Sequence, residues 1–126
     1  MKLRIRANSL RLRVTRPELE TLATGGRVVD RIPFAGGAEL KYELSVDATA
    51  PAAAATYRDN VISVRIPAGE FRQWQREDEV SLRATQAAGS AEELSILVEK
   101  DFPCLTKREG EDDSDAFANP AGPKSC

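Results

Sequence analysis

Lys2, Arg4 and Arg6 stand at alternate positions of one short stretch, and Arg11 and Arg13 at alternate positions of the next. Alternation puts each set on one side of an extended chain, and antiparallel pairing of the two stretches gathers all five cations on one surface. No carboxylate precedes Glu18 to neutralise them. Such a cluster of guanidinium and ammonium groups suits phosphates or carboxylates. The plainer alternative is a solvated face, partly neutralised by the protein's own acidic end. A second set of reactive types lies in "DFPCLTKREGEDDSDAFANP". Cys104 has Lys100, Lys107 and Arg108 nearby in sequence, cations of the kind that lower a thiol pKa. A metal site would combine Cys104 and Cys126 with Asp112, Asp113 or Asp115. Two distant thiols with hard carboxylates are a mixed ligand set, however, and "EGEDDSD" lacks the order of a calcium loop. An inert thiol and a solvated acidic run are the bland readings.

The chain of 126 residues has no histidine, which rules out Ser-His and Cys-His pairs and His-bearing zinc sites within it. General acid–base work would fall to carboxylates, Lys, Tyr or Cys. A net charge of −2 hides an asymmetry: residues 1–31 carry eight Lys or Arg against Glu18, Glu20 and Asp30, while six carboxylates follow from Asp101 onward. The basic front and acidic back either attract each other or address different partners. "MKLRIRANSLRLRV" carries too many charges for a signal peptide, and no stretch is long and apolar enough to span a bilayer. A cytoplasmic location, reduced thiols and no membrane partner are therefore expected.

The elements that must position these residues follow from period and punctuation. Lys2–Arg6 and Leu10–Val14 alternate as half-buried strands, and "RANS" and "RDNV" supply tight turns through Asn. Thr15 and Glu18 make a capping box with Pro17 in the first turn, and Leu19, Leu22 and Ala23 form a helical face that Gly25-Gly26 ends. Strand pairs Arg27–Phe34 with Leu40–Val46, and Glu79–Gln86 with Glu93–Glu99, follow the two helices. Phe71 and Trp74 form the second helical face, with Trp74 expected in the core.

Sliding the chain by 52 residues lays Leu10, Leu12 and Val14 over Ile62, Val64 and Ile66 without a gap. Leu19 then falls on Phe71, Val28 on Val80, and Leu44 on Ile96. The expected fold is β-rich α+β. Two ββαββ repeats, 1–47 and 53–100 with linker 48–52, form a pseudo-two-fold closed β-barrel capped by two short helices. An acidic tail, 101–126, is expected to dock through Phe102, Leu105 and Phe117. Closure would remove exposed strand edges.

Two resemblances add to this. "NVISVRIPAGEFRQWQREDEVSLRATQ" with "LSILVEK" resembles the swapped-hairpin units of AbrB/MazE-type regulators, carried by Val64, Ile66, Pro67, Phe71, Asp78, Val80 and Ile96. It departs from them at the turn, which is Glu77-Asp78 in place of Gly-Asp. That resemblance implies DNA binding through basic residues. "MKLRIRANSLRLRVT", "LVEKDFPCL" and "EDDSDAFANP" make the whole chain similar to a family of small bacterial proteins without an established activity. The functional expectation is a non-enzymatic, cofactor-free binding protein, monomer or homodimer. Its Lys2/Arg4/Arg6/Arg11/Arg13 face would take an anionic small molecule or an acidic protein segment. An AbrB-like DNA regulator is the alternative, and a Cys/carboxylate metal protein the third.

Overall fold

A computed structural model describes residues 1–76, 78–89 and 91–102, with Phe117 and Pro120. Cys104, Asp112, Asp113, Asp115 and Cys126, and Leu105 with most of the expected docking tail, lie outside the described residues. The chain runs β1 (Lys2–Arg6), β2 (Ser9–Val14), α1 (Arg16–Ala23), β3 (Arg27–Pro33) and β4 (Glu39–Asp47). It continues with β5 (Ala54–Arg58), β6 (Val61–Pro67), α2 (Ala68–Trp74), β7 (Ser81–Ala87) and β8 (Glu93–Lys100).

The strands form two four-stranded sheets, ordered β1-β2-β8-β7 and β3-β4-β6-β5. Each sheet joins one hairpin from the first half of the chain to one from the second through a central parallel pair, β2 with β8 or β4 with β6. The expected closed barrel is therefore corrected to two separate sheets, whose outer strands β1, β7, β3 and β5 each pair on one side among the described residues. No ladder bridges β5 to β7 or β1 to β3. Across the first gap, the Gln86 side chain takes the place of a strand. Its Oε1 accepts from Ala55 N at 2.7 Å and its Nε2 donates to Ala55 O at 2.8 Å.

Alternation places Leu10, Leu12, Val14, Leu82, Ile96 and Val98 on the inner face of one sheet, and Val28, Leu44, Ala55, Val64 and Ile66 on that of the other. These residues merge into one core with Leu22, Phe71 and Trp74 from the helices. Thr15 caps α1 as expected, its hydroxyl accepting from the Glu18 amide while the Glu18 carboxylate accepts from the Thr15 amide. Leu22 is the buried residue of that helix, and Gly25 ends it at a φ of 84°. Trp74 is fully buried, edge-on to Phe71, and donates its indole N–H to Val80 O at 3.2 Å. Lys100 Nζ donates to Glu79 O at 2.6 Å, which ties the turn after α2 to the end of β8.

Strand direction puts both helices at one end of the molecule and the four hairpin connections at the other. At that second end the inner-facing Ile5, Ile32 and Tyr57 remain 59%, 41% and 68% exposed. Two of the connections are tight turns with distinct conformations. Asp59 and Asn60 both take positive φ, whereas in the first turn Ala7 does so and not Asn8.

The registers refine the 52-residue offset. β1 pairs β2 as Lys2↔Arg13, and β5 pairs β6 as Ala54↔Arg65, each 52 later. Val28 pairs Leu44, but the corresponding step in the other sheet is Leu82↔Val98, 54 later. The ungapped match fails after α2, where two additional residues enter the turn. Leu82 is accordingly buried and Val80 is 49% exposed.

Candidate anion-binding face

The β1–β2 register sets Lys2 against Arg13, Arg4 against Arg11 and Arg6 against Ser9 on the outer face of the first sheet. All five cations singled out by sequence therefore share one surface. Like charges placed directly opposite repel, so the face needs a counter-charge. It comes from β8, on the far side of β2. Glu99 lies level with Arg13. Its Oε1 is 2.7 Å from Arg13 Nε and 2.9 Å from Arg11 Nε, and Arg11 Nη2 donates to Oε2 at 3.5 Å. The close Arg11 Nε contact is a charge pairing without alignment, because its N–H is not directed at that oxygen. Both Arg11 and Glu99 are buried. Lys2 Nζ pairs with Asp101 Oδ2 at 3.1 Å at the rim.

One carboxylate is shared by two guanidiniums in a partly desolvated place, where electrostatic interactions are stronger than in water. Beside it the face adds Arg83 from β7, level with Leu97 on β8. A depression of about 470 Å³ is lined by Arg4, Arg6, Arg11 and Arg83, the hydroxyl residues Ser9, Thr85 and Ser95, and Leu97 in its floor. The Ser9 hydroxyl already donates to Arg6 O at 2.6 Å, which leaves its oxygen to accept. Arg4, Arg6, Arg83, Thr85 and Ser95 are exposed.

Sequence reasoning found the β1–β2 cations and missed Arg83 and Glu99. The missing signal was the crossing of β2 with β8, which brings positions 13 and 99 level. Glu99 within the sheet and Asp101 at its rim lie against these cations; the tail carboxylates expected to neutralise them lie outside the described residues. Of the side chains expected to anchor the tail, Phe102 is 47% exposed and Phe117 fully exposed.

Two other places carry chemistry or space. The Met1 amine lies against the Glu18 carboxylate and 3.0 Å from Asp30 Oδ2. Desolvation lowers the pKa of this amine, but the hydrogen bonds to Glu18 and Asp30 outweigh it and the net shift is upward. Between the sheets at the hairpin end, Leu10, Leu40, Ala55, Tyr57, Ile62 and Leu94 line an apolar recess of about 460 Å³. Among the described residues, no group of three or more Cys, Asp or Glu is placed to hold a metal ion. No helix among them is long and apolar enough to cross a membrane.

A family model described as "Family of unknown function (DUF7009)" matches residues 1–121. No curated protein and no solved structure matches the chain.

Proposed function

The chain belongs to this family of unknown function, and we propose that it is a non-enzymatic binding protein whose outer basic face takes an anionic molecule or an acidic protein segment. The observation that carries this reading is the four-arginine depression, Arg4, Arg6, Arg11 and Arg83, with hydroxyl groups along it. Guanidinium groups converging on one recess match the several acceptor oxygens of a phosphate or carboxylate. Glu99 supports the role by holding Arg11 and Arg13 in place. We also propose that the fold is an internal duplication. Exchanging β1, β2, β3 and β4 with β5, β6, β7 and β8 converts the order of one sheet into that of the other.

Heparin serves as a model polyanion for the test. Binding should weaken steeply as salt rises, and Arg4→Ala with Arg83→Ala should reduce it by about tenfold or more. Duplex DNA in the same assay addresses the AbrB-like alternative. Retention of duplex at salt that releases heparin would favour a DNA regulator, and failure of both ligands at low salt would end the anion reading.

A further inference from the structure

The two gaps between the sheets are finished differently. Along β2, Asn8 and Val14 direct their carbonyls toward β8, accepting from Ser95 N and Asp101 N. The alternating backbone of β2 therefore turns Ser9, Arg11 and Arg13 toward β1. Their partners Arg6, Arg4 and Lys2 use their N–H and C=O groups within the hairpin, so those of Leu3 and Ile5 point outward from the β1 edge, which pairs with no other described strand. The register counterpart of Leu3 is Ala55, since Leu3↔Leu12 matches Ala55↔Val64. On β5, Gln86 satisfies both backbone groups of Ala55. The counterpart of Gln86 is Ile32, since Ile32↔Leu40 matches Gln86↔Leu94. The Ile32 side chain has no amide to offer. One gap is thus bridged at Ala55 by a side chain; the other is bridged at Met1, where Asp30 accepts from the amine and Tyr42 donates to the carbonyl, and beyond that point it presents the donors and acceptors of Leu3 and Ile5 beside the exposed Ile5 and Ile32.

We propose that the β1 edge receives an extended acidic segment of a partner protein as an added strand. The inference rests on the anion-binding reading and specifies its partner. An added strand turns alternate side chains to alternate faces of the sheet. Those beside Lys2, Arg4 and Arg6 meet cations, and those between them lie over Ile5 and Ile32. The edge therefore selects carboxylates alternating with apolar, preferably β-branched, residues. The chain's own "EGEDDSD" does not have that alternation.

The test compares a short peptide alternating Glu and Val with one of the same composition in which the Glu and Val residues are grouped in blocks. Heparin runs alongside as the sequence-indifferent anion. The alternating peptide should bind at least about tenfold more tightly than the blocked one. Ile5→Pro removes an outward N–H without touching a cation or a hairpin bond, because proline is tolerated at strand edges. This variant should lose the peptide preference and keep its heparin affinity. Should it fail to fold, the wild-type chain with peptides N-methylated at alternate amides makes the same test. Methylation of the set facing β1 should abolish the preference, and methylation of the other set should spare it. Equal binding of the two peptides, or indifference to both methylation patterns, overturns edge docking and leaves the anion face standing if heparin is still bound. Loss of heparin and peptide binding together overturns both.

Discussion

Two carboxylates hold the cationic end of the molecule together. Glu99 faces Arg11 and Arg13, and removing its charge takes away the carboxylate that these two guanidiniums, one of them buried, share. Breaking a buried pair in this way costs about 3–5 kcal/mol, far above the worth of an exposed pair. Glu99→Gln should therefore lower unfolding stability by about 3 kcal/mol in denaturant titration, the low end because Arg13 reaches solvent. Glu18 acts through a different geometry. Burial pushes its pKa up, but hydrogen bonds from the Met1 amine and from the Thr15 amide and hydroxyl outweigh this, so the net shift is below the ordinary glutamate value of 4.5. A carboxyl shifted down on folding contributes stability that is present above its unfolded pKa and lost as pH falls through the folded one. Glu18→Gln, which also weakens the capping box, should cost about 1 kcal/mol near pH 7. Its deficit relative to wild type should shrink as pH drops below 4.5, and stability curves at several pH values check both parts.

At the scale of elements, Gln86 carries more than its half-exposed position in β7 suggests. It satisfies an outward N–H and an outward C=O of β5, a strand whose other edge is paired to β6. Gln86→Leu retains similar bulk and leaves two partly buried polar groups without the amide. A cost of about 1–3 kcal/mol is expected, with faster amide exchange at Ala55 as the local signature. Much of the element layout was legible in the sequence. β1, the capping box and the burial of Trp74 stand where period, spacing and size placed them. Val28 and Leu82 show where this failed. A repeat aligned without gaps assumes turns of equal length, and the turn after α2 is two residues longer. Hydrophobic periodicity reports which face is buried and is indifferent to a shift of two, since that shift preserves the face of a strand.

At the scale of the whole molecule, the sequence indicated a basic surface but not its completion. Arg83 and Glu99 reach it only because β8 lies against β2, and pairing between distant strands leaves no local pattern. Closure into a barrel was expected because it protects edges, yet side chains do the bridging here, Gln86 at Ala55 and Asp30 with Tyr42 at Met1. The interlaced sheets also predict the behaviour of separated halves. Residues 1–50 alone contain β2 and β4 but neither β8 nor β6, so each of their hairpins lacks its central neighbour. Fragments 1–50 and 51–126 should each show little ordered sheet by circular dichroism and regain it on mixing. Native-like sheet in either fragment alone would contradict this. The same dependence governs synthesis. Leu10 leaves the ribosome long before its neighbour Ile96, so the nascent chain must carry its cationic hairpin with one side of β2 bare through most of translation. Its charged residues then have a second task, keeping that waiting strand from pairing with other nascent chains.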